Sequence, residues 1–192
     1  MTVLIDYENV QKSARRRFLS YAADRGTSGH VHPRQVGELI ASKRRRPSVL
    51  HEVRVYRGQP NPWKQTVSAA ANERQASDWR ADGVTVIRRN LWYPDEWPNT
   101  PPTEKGIDVA VAVDAVRLAA FRETDVIVIF SHDNDLLPAV ETVMDLQGCH
   151  IEVAAWSECN RLRLDNTQRP WCHYLGESDF NSVRDHTDYT ES

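Results

Sequence analysis

Short apolar runs alternate with longer amphipathic stretches along most of the chain, and this alternation sets its expected elements. Residues 3–5 form a short buried strand ended by Asp6. Residues 9–23 follow as a helix, with Val10, Ala14, Phe18 and Tyr21 recurring at spacings of three or four. Gly26 and Gly29 break the chain, Pro33 suits the first turn of a second helix over 33–43, and Pro47 closes it. A strand over 51–57, a helix over 63–81 and a strand over 84–88 continue the alternation. Residues 91–104 carry four prolines and no periodicity, which predicts a long loop. A helix over 105–122, a fully apolar strand over 126–130, a helix over 136–146 capped by Gly148 and a strand over 151–156 complete the main pattern. Residues 157–176 are expected to add a last helix and an edge strand over 171–175. Strands alternating with helices predict a three-layer α/β fold with a mostly parallel central sheet, Rossmann-like in plan. One domain spans residues 1–176, and the acidic residues 177–192 read as a poorly ordered tail.

Composition excludes two classes. No stretch approaches the roughly 18 uncharged apolar residues of a membrane span, and no basic leader precedes the first strand, so membrane and secreted classes are not expected. Three cysteines, Cys149, Cys159 and Cys172, are too few and too scattered for a disulfide framework, and with His173 they lack paired zinc-ligand spacing. A reducing, cytoplasmic location fits them best. The net charge of −3 is uneven: residues 1–50 are net +6, residues 51–175 net −5 and residues 176–192 net −4. The basic excess lies in Arg15, Arg16 and Arg17 and in Lys43, Arg44, Arg45 and Arg46, whereas several Asp residues of the middle follow apolar runs. A polyanion suits the first and a divalent metal the second.

In an open parallel sheet, function collects at the carboxyl ends of the strands, where strand order reverses. Asp6 directly follows the first strand; Ser131, Asp133 and Asp135 directly follow the strand over 126–130. If these strands are central neighbours, Asp6 and Asp133 converge. Asp108 lies in the first turn of the helix that opens at Lys105, where the helix dipole favours an ionised carboxylate. Asp114 is six residues further on, an axial rise of about 9 Å and a rotation of roughly 240°. It falls on the stripe of Ile107, Val111, Leu118 and Phe121, and reads as a hydrogen-bonded structural carboxylate or a support for the site. Carboxylates crowded into one crevice repel one another unless a cation sits between them, and an all-oxygen set selects Mg2+ or Mn2+. Such an ion activates water and stabilises charge on a phosphoryl oxygen. The competing reading is that Asp6 and Asp133 or Asn134 are ordinary helix caps.

The segments VLIDYENV (3–10), KGIDVAVAVDAV (105–116) and IFSHDNDLLPAVETV (129–143) resemble, in order, the three signature blocks of the NYN domains, in the LabA-like branch of the PIN-like nucleases. The resemblance covers roughly residues 1–175. It implies a PIN-like sheet and a Mg2+- or Mn2+-dependent ribonuclease site in which Asp6, Asp108 and Asp133, with Asp135, hold the metal. Asn9 and Asp135 match supporting polar positions, Ser131 and Lys105 the block residues beside them, and Asp114 the second acid of the helix block. Where the family commonly has Gly after the Ser, this chain has His132, which either narrows the approach to Asp133 or contacts a phosphate.

A polyanion at an acidic cleft needs cations on the rim. Arg15, Arg16, Arg17, Lys43, Arg44, Arg45, Arg46, Arg88 and Arg89 are the candidates. Trp92, Tyr93 and Trp97 stack on unpaired bases, pack the loop or form a dimer contact. Trp63, Trp79, Trp156 and Trp171 read as core residues, and His30 and His32 as exposed loop residues. The leading expectation is an endoribonuclease acting on tRNA or single-stranded RNA, with a homodimer and an inhibitor protein as further partners. Its alternatives are a catalytically degenerate module that binds RNA or protein, and a DNA-directed nuclease of the same superfamily.

Overall fold

A computed structural model describes residues 1–19, 29–164 and 169–190. Six strands form one sheet in the order β3-β2-β1-β4-β5-β6, and every neighbouring pair is parallel. They are β1 (Thr2–Asp6), β2 (Glu52–Gln59), β3 (Val84–Asn90), β4 (Val126–Phe130), β5 (His150–Trp156) and β6 (Trp171–Leu175). The helices are α1 (Tyr7–Phe18), α2 (Pro33–Lys43), α3 (Thr66–Ala81), α4 (Ile107–Ala120), α5 (Leu137–Leu146) and α6 (Glu177–Val183).

Successive side chains of a strand point to opposite faces, so a strand covered on both sides is apolar throughout. β1 and β4 show this. Val3, Ile5, Val128 and Phe130 join one core with Val10, Ala14, Val36, Ile40, Trp79 and Phe180, from α1, α2, α3 and α6. Leu4, Ile127 and Ile129 join the other, with Val111, Leu118, Val140 and Val143 from α4 and α5. The expected three layers are present, and the sheet is wholly rather than mostly parallel. From β1 the chain winds outward to β2 and β3, and from β4 outward to β5 and β6, so the strand order reverses between β1 and β4.

Several expectations need correction. The residues after Gly176 are not a disordered tail among those described: α6 packs Phe180 and Val183 into the core, and Asp185 is buried. Residues 157–164 hold no helix, and residues 165–168 lie outside the described set, as does the expected continuation of α1 to residue 23. Trp79 and Trp156 are fully buried, but Trp63 is 93% exposed because α3 begins only at Thr66. Trp171 and Phe121 are also exposed; Phe121 lies just past the end of α4. Gly148 does not cap α5, since the left-handed position is Gln147 at φ 49°. Its role is close approach: a Cβ there would lie 2.1 Å from the Ala119 carbonyl oxygen.

Candidate active site

β1 passes directly into α1 and β4 into a tight turn, so Asp6 and the segment Ser131–His132–Asp133 meet at the point where strand order reverses. The Ser131 hydroxyl, wholly buried, donates to Asp6 Oδ2 at 2.9 Å and accepts the Asp133 N–H at 3.1 Å. Asn9, in the first turn of α1, accepts the His132 N–H through Oδ1 at 2.9 Å. A hydroxyl and an amide thus lock the two carboxylate-bearing turns together. Asp108 completes the third side. Gly106, at φ 72°, turns the chain out of the long loop so that α4 begins with Ile107 buried and Asp108 facing the same crevice.

The crevice measures about 320 Å3 and is lined by Asp6, Asn9, Asp108 and Asp133 together with Glu8, Lys12, Arg16 and Glu104. Glu8 and Glu104 were not anticipated as site residues. Glu8 follows Asp6 by two positions, and Glu104 ends the proline-rich loop beside the Lys-Gly-Ile-Asp block. Glu104 accepts the Gly58 N–H and shares a hydrogen bond with Glu8. Burial, followed by the Glu8 carboxylate, pushes Glu104 up to about 8, so near neutrality it carries the proton that joins the pair. Burial also works to raise Glu8, but the Glu104 proton and Lys12 at 2.6 Å outweigh it and hold Glu8 below its ordinary value. Burial lifts Asp6 to about 6 against the Ser131 hydroxyl, with Asp133 and Glu8 adding repulsion.

The remaining predicted residues separate clearly. Asp135 is exposed and outside the crevice; its N–H donates to Asp133 Oδ1 at 3.1 Å, so Asp133 also caps the short 3-10 turn Asn134–Leu136. Asp114 accepts from Tyr56 at 2.7 Å and Arg54 at 3.2 Å and does not line the crevice. Lys105 is exposed, with its ammonium over the Trp92 ring. His132 does not crowd Asp133: its Nδ1 donates to the Asn160 carbonyl at 2.6 Å, and the ring lines a neighbouring hollow with Arg16 and Arg17. His30 is partly buried rather than exposed, 3.0 Å from the Tyr7 hydroxyl.

Of the basic candidates, Arg16 lines the crevice and Arg89 runs beside Gly106 at its rim. Arg15 is exposed on α1, Arg17 pairs with Glu158, and Arg88 pairs with Glu73. The Lys43–Arg46 cluster is at the wrong end. Arg44 is buried in an ion pair with Glu152 at 2.7 Å, and Arg45 and Arg46 line a hollow with Asp125, His150 and Trp171, where β4, β5 and β6 begin. Lys43 pairs with Asp179 of α6. In the long loop, Tyr93 bonds Asn61 and Gln65 and packs edge-on against Trp97, whereas Trp92 is half exposed.

Fold and crevice together define a PIN-like α/β protein with an acidic site at its switch point. The NYN domain family matches residues 1–166, and the chain belongs to that family, within the PIN-like nuclease superfamily. The crystal structure of a protein of unknown function from Vibrio parahaemolyticus is similar, with a TM-score of 0.51 over 83% of this chain and 82% of that one at 14% sequence identity, a likeness of fold. No curated protein matches. No helix among the described residues is long and apolar enough to cross a membrane.

Proposed function

We propose that this protein is a divalent-metal-dependent endoribonuclease whose centre is the crevice of Asp6, Asp108 and Asp133. The observation that carries the reading is the convergence of those three acids from three separate segments onto one crevice at the switch point. The donor set fits a hard cation: the lining acids are all carboxylates, and burial and mutual repulsion lift Asp6 and Glu104, a penalty that a bound Mg2+ or Mn2+ offsets. Among the described residues no three acids stand close enough to ligate an ion as they are; Asp6, Asp108 and Asp133 of the one crevice are the residues that would hold it. Asp135, exposed and outside, serves only through Asp133. When bound, the ion supplies Lewis-acid stabilisation of a phosphodiester undergoing hydrolysis.

The chain's own groups do the rest. Ser131 and Asn9 hold the two acid-bearing turns in register, and Lys12 and Arg16 bind the phosphate backbone beside them. Glu104, protonated near neutrality, keeps a proton at its carboxyl oxygen against Glu8. Incubation with tRNA, single-stranded RNA and single-stranded DNA in Mg2+, Mn2+ or EDTA tests the proposal. Internal cleavage of RNA that EDTA abolishes supports it; cleavage of DNA alone makes the protein a DNA-directed nuclease, and binding without cleavage makes it a recognition module.

A further inference from the structure

Arg57, near the end of β2, carries its guanidinium inward beside the acid crevice. The group lies 5.1 Å from the ring centres of both Tyr7 and Trp79, donates to Gln75 Oε1 at 2.5 Å, and leaves a buried Nε–H without a hydrogen-bond partner. Among the described residues no carboxylate forms an ion pair with it; Glu104 and Glu8 act on it only through space. Aromatic faces offset part of the cost of burying a cation, but an unpaired donor on a buried guanidinium is unfavourable unless an anion reaches it.

Arg57 lines a pocket of about 240 Å3 with His30, Asn72, Gln75 and Ser68. That is below the roughly 300 Å3 at which pockets begin to take drug-sized ligands, and suits a phosphate with part of its sugar. Thr187–Thr190 form one wall. Asp188 of this wall is an anion whose carboxylate is turned onto its own segment, accepting from Thr190 N and Oγ1 at 2.8 and 2.6 Å, and Asp185 accepts from the Tyr189 hydroxyl at 3.0 Å. Tyr189 also bonds Asp78, and Arg74 its carbonyl, which clasps the segment to α3. Gly58, the residue after Arg57, donates its N–H to Glu104 of the crevice lining, which ties the two sites through one strand.

We propose that this pocket is a subsite for a second phosphate of the substrate strand, taken by Arg57 one strand outward from the acids. The inference rests on the nucleic-acid reading of the crevice and adds a group that sets where on the strand the protein engages. The phosphate has two sources, a strand end or an internal phosphodiester.

The test measures affinity of the full chain, in EDTA, for a single-stranded RNA octamer bearing a 5′-phosphate, a 3′-phosphate or hydroxyls at both ends. Ser68→Glu, on an exposed stretch of α3, sets a carboxylate at the pocket mouth; Arg57→Gln removes the cation, and its melting temperature reports whether it folds. A terminal-phosphate site gives about tenfold tighter binding of one phosphorylated octamer, lost in Ser68→Glu. An internal site gives equal affinities, each falling about tenfold in Ser68→Glu. Unchanged affinity for every octamer in Ser68→Glu overturns the subsite, whatever Arg57→Gln does. A parallel Mn2+ digestion separates the two readings: cleavage without this affinity pattern sinks only the subsite, and the pattern without cleavage sinks only the nuclease.

Discussion

Asp6 is 5% exposed at the end of a central strand, and its carboxyl titrates near 6 rather than 3.8 because burial disfavours the anion. An acid whose folded pKa is raised binds its proton more tightly in the folded state, so its contribution to stability is greatest at low pH and falls as pH rises from about 3.8 to about 6. Asp6→Asn has no such dependence. In EDTA its stability relative to wild type therefore rises across that interval, by on the order of 3 kcal/mol for a shift of this size; parallel melting curves at pH 4 and pH 7 read the difference. A constant gap would show that Asp6 is not raised. The proposed metal would act in the opposite direction by binding the anion: Mn2+ should raise the melting temperature of wild type at pH 7.5, do so weakly at pH 5, and do neither in Asp6→Asn or Asp133→Asn, in which cleavage should also be lost.

Elements stay in register here through contacts between residues distant in sequence, and those contacts decide what the sequence could reveal. Glu152, at the start of β5, accepts from Arg44 at 2.7 Å and from His173 of β6 at 2.7 Å, joining the segment after α2 to two strands. Burial works to raise Glu152, but His173 and Arg44 prevail and hold it near 2. Its contribution is complete above its ordinary value of 4.5 and fades as pH falls towards 2. Arg44→Ala leaves a buried carboxylate with only its histidine partners and should cost about 3 kcal/mol in denaturant unfolding while leaving RNA affinity unchanged, the reverse of what a rim arginine would show. Nothing in Lys43-Arg44-Arg45-Arg46 distinguishes the buried member, because its partner lies 108 residues away. The central strands β1 and β4 were legible because burial on both faces makes them largely apolar, and Asp6, Asp108 and Asp133 because each sits close to a strand end or helix start. The Glu8–Glu104 pair and the packing of α6, whose short polar sequence offers only Phe180 and Val183, depend on tertiary neighbours and left no local pattern. The same holds for Gly148, which faces Ala119 of α4.

At the scale of the whole molecule, the uneven charge acquires a direction. β1 has five residues, which separates the two ends of the sheet by about 16 Å. Lys12, Arg16 and Arg89 surround the acids at the carboxyl ends, whereas Arg45 and Arg46 open at the amino ends. A strand held at the crevice meets only the first group unless it wraps round the sheet. Each phosphate neutralised on a single strand contributes about 0.7 to the slope of log affinity against log salt. The double substitution Lys12→Gln and Arg16→Gln should therefore reduce that slope by about 1.4 for an RNA octamer and slow its cleavage. Arg45→Gln with Arg46→Gln should leave both unchanged, because their side chains open on the face that a short strand in the crevice does not reach. Binding titrations between 50 and 200 mM salt make the comparison directly. An equal loss of slope in the two double variants would mean that the octamer wraps the sheet edge, and that the basic cluster at 43–46 belongs to the substrate path after all.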